Sequence, residues 1–518
     1  MTLRTVDAVV IAAYLVGVVG LGCWFVRSSR TTQGFMVAAG RLPGWVVGLS
    51  ILGTYLSSTT FLFVPGKAYA TNWNAFAFSL SLPLAAWIAT RWFVPFHRNC
   101  GSVSAYDHLE ERFGPWARTY GVACYLLTQL ARVGAVLFGV SLIMATLTGW
   151  SQATIIITAG VLVTLYTAMG GIEAVIWTDV VQSVVLSVGA VTLLVLLVLG
   201  MPEGPSQAWR IATADDKLSL GGFAFDFTRS TFWVPLLYGL FENLKNFGID
   251  QSYVQRYHTA ATERQAENSV WIGALLYLPL SAVFFAIGTL CYTYYQAHPS
   301  MLLEVQVAAA ERLGEAASAV APSDLTAAQV GDSVLPHFIV HGLPTGATGL
   351  IIAAIFAAAM SSIDTSLNSA ATVTLLDLYK RRLRPDVGER ESMIVLYATT
   401  ALMGAVGVGV ALAMIGVNSA LDTWWKLSGI FAGGLLGLFL LGVLAKRAKR
   451  PAALCGVIIG VLVILWMSLP DLIQQYTAAP AWVLSPLHAH MTIVVGTLTV
   501  FLVGVAVSRV SSFIAAKP

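Results

Sequence analysis

Four groups of residues have the types and spacing to do chemistry. An apolar run of bilayer length is interrupted over Gly53–Tyr69 (GTYLSSTTFLFVPGKAY). There a glycine, four consecutive hydroxyl residues (Ser57, Ser58, Thr59, Thr60) and Pro65-Gly66 follow one another. A helix broken at such a point frees backbone carbonyls, and hydrocarbon tolerates these only against protein, water or an ion. Arg132 lies near the centre of another apolar run, in QLARVGAVLF. An ionisable side chain at mid-bilayer costs about 3 kcal/mol on insertion scales, so each one is a functional candidate. Its planar fork suits a carboxylate on a bound solute, and the competing reading pairs it with Glu242. Asp179, in GGIEAVIWTDVVQ, and Asp364, in FAAAMSSIDTSLNS, fall at compatible depths. With Ser361, Ser362 and Thr365, which helical spacing places on one face, they form an all-oxygen cluster suited to a hard cation. The competing reading of those hydroxyls is close packing of membrane helices. Asn243, Lys245 and Asn246 place three polar side chains in one turn, at the depth of a bound solute. Lys67 and Arg91, near span ends, read as snorkelling side chains, and Asp422 and Lys426 as an ion pair.

The elements that must position these residues are membrane spans. The chain has 518 residues, 57% hydrophobic and 11% charged, where a soluble domain carries about 25% charged residues. That excludes a soluble multidomain protein. About thirteen apolar runs have bilayer length. The first is followed by Arg27 and Arg30 and by no small-residue cleavage site, as for a retained span. Arg and Lys then recur after alternate runs, among them Arg98, Arg112 and Arg118, Arg256 and Arg264, and Lys380 to Arg384. The positive-inside rule places these loops in the cytoplasm, the N-terminus outside and the C-terminus inside. On this reading Arg256 belongs to a cytoplasmic loop. Ser104–Phe113 reads as an amphipathic helix on the inner surface. Five cysteines without a CxxC motif disfavour a metal or disulfide framework, and no nucleophile–base pair or soluble catalytic domain supports an enzyme. The expected partners are a small organic solute and the lipid bilayer. Nucleic acid is not expected, and the chain is expected to be a monomer or weak oligomer.

Four stretches together resemble the sodium/solute symporter family, the sodium-coupled transporters of glucose, proline, iodide and sialic acid. They are Phe35–Ser58 (FMVAAGRLPGWVVGLSILGTYLSS), Gly170–Gln182 (GGIEAVIWTDVVQ), Phe247–Tyr257 (FGIDQSYVQRY) and Ala357–Ser366 (AAAMSSIDTS). They occur in family order on the expected spans. The resemblance implies an all-α polytopic membrane protein of about 13 transmembrane helices with two inverted five-helix repeats, each beginning with a broken helix. The parts are an extra N-terminal helix (1–30), a first repeat (42–200), a second repeat (231–446) and two extra helices with a short tail (451–518). It further implies a sodium site similar to the carbonyls of Gly53, Leu56 and Ala358 with the hydroxyls of Ser361 and Ser362. The sialic acid branch looks closest. Its pattern implies a second sodium involving Asp179, Ser362, Asp364 and Thr365, and an arginine at Arg132 for the substrate carboxylate. Ser57, Thr60 and Ser79 then line the sugar pocket beside Asn243. Asp364 stands where that branch can have a serine, Ser79 is shorter than the amide expected there, and Ala75 is small where an aromatic gate could lie. The expected activity is symport of an organic solute with one or two Na+ across a bacterial inner membrane. Sialic acid is the first choice, ahead of glucose or galactose, small organic acids and proline. A channel or sensor on the same fold is the alternative class, and no regulatory domain supports a sensor.

Overall fold

A computed structural model describes residues 4–27, 29–313, 321–415, 428–429, 434–473 and 484–515. The described residues are helical and contain no β-strand. In chain order the main helices are α1 (Thr5–Trp24), α2 (Gly44–Tyr55), α3 (Ser58–Ala70), α4 (Trp73–Asn99), α5 (Asp107–Phe113) and α6 (Pro115–Thr148). There follow α7 (Gln152–Leu199), α8 (Pro205–Ala214), α9 (Trp233–Ile249), α10 (Gln251–Thr259), α11 (Glu263–Ala297) and α12 (Pro299–Leu313). The last are α13 (Ala327–His341), α14 (Ala347–Leu383), α15 (Glu389–Ala413), α16 (Leu435–Leu444), α17 (Arg450–Ile473) and α18 (Met491–Ala515).

Among the described residues nine helices are long and apolar enough to cross a membrane, and α2 with α3 makes a bent tenth. The difference from thirteen runs has physical causes. The 48 residues of α7 would extend about 72 Å as one straight helix, over twice the roughly 30 Å of bilayer hydrocarbon. Gly171, at φ 59°, kinks this element into two pieces that match the fifth and sixth apolar runs. The seventh run is the 17-residue α9, which carries Glu242 and Lys245. The eleventh falls partly on residues outside those described, as do Asp422 and Lys426.

Three contacts fix the frame around the site. α14 is buried nearly from end to end as far as Val373, so its polar residues are held inside protein rather than against lipid. The Asp7 carboxylate of α1 accepts the amide N–H groups of Gly346 and Gly349, each at 2.8 Å, and so caps the positive end of α14. At the other end Arg118 of α6 pairs with Glu110 of α5 at 2.9 Å and with Asp377 of α14 at 2.5 Å. α5 buries Leu109 and Phe113, as the amphipathic reading of Ser104–Phe113 requires. Arg91 is exposed, in keeping with a snorkelling side chain.

Candidate functional site

Two helix breaks open onto one cavity. α2 and α3 meet at 52°, and Leu56 (ψ 98°) and Ser57 (ψ 169°) between them are extended. α9 and α10 are separated by Asp250, extended at ψ 119°, whose carboxylate caps α10 through the Ser252 amide at 2.9 Å. Thr54, Tyr55, Ser57 and Thr60 from the first break and Asn246, Asp250 and Tyr253 around the second line the same cavity. Lys67, which the sequence reading assigned to snorkelling, is also among the lining residues.

The charges of the lining do not cancel. Lys67, Arg132 and Lys245 face Glu242 and Asp250, leaving one net positive charge. His490, just before α18, does not add to it, because burial, His488 and Lys67 push its pKa down to about 3. Glu242 does not neutralise Arg132: its Oε1 lies 2.6 Å from Lys245 Nζ, one turn along α9. Arg132 Nη2 donates to the Thr54 carbonyl at 2.5 Å. Among the described residues no carboxylate lies within ion-pair reach of Arg132. The pairing of Arg132 with Glu242 is thereby set aside.

Ser57, Thr60, Ser79 and Arg132 all line this cavity. Ser79 Oγ lies 2.7 Å from Ser281 Oγ, which links α4 to α11. Asn243 departs from expectation. It is fully buried against α4, where its Nδ2 donates to Ser81 Oγ at 3.2 Å. Its neighbours Glu242, Lys245 and Asn246 face the cavity instead, because i, i+3 and i+4 share a helix face and i+1 does not. Gln129 was missed by the sequence reading. It lines the cavity one turn before Arg132, and that i, i+3 spacing is the signal that could have found it.

A second grouping lies where α2 meets α14. Ser361 Oγ is 3.1 Å from both the Gly53 and the Ala358 carbonyl oxygens, and Ser362 Oγ is 3.3 Å from that of Ala358. Leu56 is also buried, and its backbone leaves the helix at the break. A Cβ at position 53 would sit 2.9 Å from Ser183 Oγ of α7, so glycine is what lets the two helices approach this closely.

The third grouping corrects the sequence reading. Arg256 is not in a loop but is 0% exposed on α10. It donates to Asp179 Oδ2 at 2.8 Å, Thr365 Oγ1 at 2.7 Å, Ser50 Oγ at 2.8 Å and the Ser252 carbonyl at 2.8 Å. A buried carboxylate requires such a partner, and charge counts along loops cannot see it. Asp364 accepts from the Tyr166 hydroxyl at 2.8 Å and from the Thr365 amide at 2.6 Å. The structure thus places Asp179, Thr365 and Asp364 in one cluster and gives Thr365 and one oxygen of Asp179 to Arg256. Asp179 Oδ1 is buried there with no hydrogen-bond partner among the described residues.

Residues 35–460 match the sodium:solute symporter family. The chain is 30% identical over 502 residues to the sodium/sialic acid symporter NanT of Aliivibrio fischeri, covering 96% of this chain and 93% of the relative. It is 31% identical over 464 residues to the sodium/sialic acid symporter SiaT of Proteus mirabilis, covering 89% of each. The fold superposes with a TM-score of 0.85 on the substrate-bound, outward-open structure of a Na+-coupled sialic acid symporter, at 28% identity and 98% coverage of both chains. The chain belongs to the sodium:solute symporter family. It is a multi-pass inner-membrane protein, and sodium is its coupling ion.

Proposed function

We propose that this transporter carries sialic acid, or a closely related carboxylated sugar, into the cell together with sodium, and that the cavity between the two helix breaks is its solute site. The observation that carries this reading is Arg132, a guanidinium in a membrane-embedded cavity with no carboxylate partner among the described residues. A solute carboxylate supplies that partner in a bidentate geometry. The net positive charge of the lining favours an anion in the same way, and the names of the two curated relatives support the choice of sugar acid.

In this reading the first sodium binds the carbonyls of Gly53, Leu56 and Ala358 and the hydroxyls of Ser361 and Ser362, an all-oxygen set suited to a hard cation. The hydroxyls that now donate to carbonyls turn to present lone pairs to the ion. A second cation sits at Asp179 Oδ1 and Asp364, because two buried carboxylates share one guanidinium and one negative charge is left over. Thr365 Oγ1 accepts from Arg256 with one lone pair and keeps the other for this cation. The first break connects ion and solute: Gly53 and Leu56 belong to the ion, and Ser57 and Thr60 to the cavity. Sodium orders the break and thereby shapes the solute site, which is a physical route to coupling. The two five-helix repeats are related by inversion, with the N-terminus outside. Two sodium ions with a monoanion carry one net positive charge inward, driven by about 2.3 kcal/mol per charge per 100 mV.

Uptake into proteoliposomes under an imposed sodium gradient tests this, with sialic acid, glucose, proline and lactate compared. The expected result is electrogenic, sodium-dependent uptake of sialic acid above the other solutes. Preference for glucose, proline or lactate would overturn the sugar-acid assignment.

A further inference from the structure

A second cavity adjoins the one between the helix breaks. It holds about 500 Å³, against about 160 Å³ for the first, so a solute still carrying part of its hydration shell fits there before it fits further in. Five residues line both cavities: Lys67, Ala75, Pro235, Tyr238 and His490. Much of the remaining wall comes from connections, with Asn72 before α4, Ser230 before α9 and His488 before α18. On the proposed orientation these connections are external, and the second cavity is the one a solute meets first.

Two helices lead from the outer cavity to the inner one, each along a single face. On α3 and its C-terminal end, Thr60, Val64, Lys67 and Thr71 follow at spacings of four, three and four, which keeps them on one side. Thr60 and Val64 line the inner cavity, Lys67 both, and Thr71 the outer one. At 1.5 Å of rise per residue, Lys67 stands about 10 Å outward of Thr60. On α9, Pro235, Tyr238, Glu242 and Lys245 repeat at three, four and three. Glu242 and Lys245 pair with each other at 2.6 Å, so the α9 face carries no net charge. Tyr238 stacks on the His490 ring at 4.8 Å, and the His488 amide donates to the Phe227 carbonyl at 2.8 Å, which fastens that segment. The stacked pair stands where the two cavities meet.

Charge distinguishes the outer cavity. Lys67 is the only lysine, arginine, aspartate or glutamate among the described residues that line it. Its side chain is exposed, and among the described residues no carboxylate lies within ion-pair reach of it. A cleft lined by one sign of charge concentrates the opposite ion and speeds its capture.

We propose that the outer cavity is a second, weaker site for an anionic solute, where Lys67 receives the carboxylate before it passes the Tyr238–His490 pair to Arg132. Selection for charge then begins ahead of the inner site, and a neutral sugar gains nothing from the outer one. This inference rests on the sugar-acid reading above.

The test follows the association of sialic acid with the full chain in detergent at fixed sodium, by stopped-flow tryptophan fluorescence. Capture at an outer site followed by passage inward makes the observed rate level off as solute concentration rises. The half-saturating concentration then reports the outer site, the limiting rate reports passage, and the dissociation rate reports the inner site. Lys67→Met is expected to raise the half-saturating concentration about tenfold at low ionic strength and to remove most of its dependence on added choline chloride. Lys67→Arg is expected to keep both properties, which shows that the effect is one of charge. Tyr238→Ala is expected to change the limiting rate instead. The uncharged methyl ester of sialic acid is expected to show no response to Lys67→Met. A half-saturating concentration unchanged in Lys67→Met, or a variant that acts only by speeding dissociation, would overturn the outer site while leaving the sugar-acid reading in place. Absence of any sodium-dependent sialic acid uptake by the wild type would overturn both.

Discussion

Arg256 and Arg132 both stand beside the helix breaks, and they differ in what surrounds them. Arg256 is nearly complete: a carboxylate, two hydroxyls and a carbonyl take four of its five N–H donors within 2.8 Å, and it is not among the residues lining the cavity between the helix breaks. Arg132 has one acceptor among the described residues, the Thr54 carbonyl, and lines the cavity. A charge completed by its own chain is part of the frame, whereas one left incomplete beside a cavity awaits a ligand. The proposed cation cluster around Asp179 and the proposed solute site are thereby set apart.

Arg256→Leu leaves Asp179 charged and buried alone, which costs about 3–5 kcal/mol. Thermal unfolding in detergent is expected to show a large loss of stability, and Asp179→Asn in the same chain is expected to restore much of it. Arg132→Ala is expected to leave the unfolding temperature within a few degrees of wild type and to lower the affinity for a sugar acid roughly a hundredfold. Arg132→Lys is expected to recover part of that, because ammonium keeps the charge and loses the fork. A large stability loss in Arg132→Ala would erase the contrast between the two residues.

Smaller effects sharpen it. Ser362→Ala removes one proposed sodium ligand without touching Arg132. It is expected to raise the sodium concentration for half-maximal uptake about tenfold, with solute selectivity unchanged. Gly53→Ala forces its new Cβ to within 2.9 Å of the Ser183 hydroxyl. That side chain can yield by a few tenths of an ångström, so a severalfold loss of sodium affinity is expected, smaller than that of Ser362→Ala.

These two arginines also show what the sequence could reveal. The break at Leu56–Ser57 was legible because glycine, a hydroxyl run and Pro-Gly interrupt an apolar segment, a local pattern with a local physical cause. Arg132 was legible because charge inside an apolar run is costly wherever its partner lies. Arg256 was not. It sits past the apolar part of its span, where loop arginines are expected, and its carboxylate is 77 positions away. Asn243 was misplaced because its one-turn cluster omitted Glu242, whose i, i+3, i+4 spacing with Lys245 and Asn246 marks the cavity face and leaves Asn243 beside it, against α4. The kink at Gly171 was legible as two apolar runs separated by Gly170-Gly171.

Calorimetric titration of sialic acid into wild type and Arg132→Ala, with and without sodium, decides whether Arg132 holds the solute. Wild type is expected to bind only when sodium is present, and the variant to lose solute binding while still binding sodium. Solute binding by Arg132→Ala at wild-type affinity would contradict it.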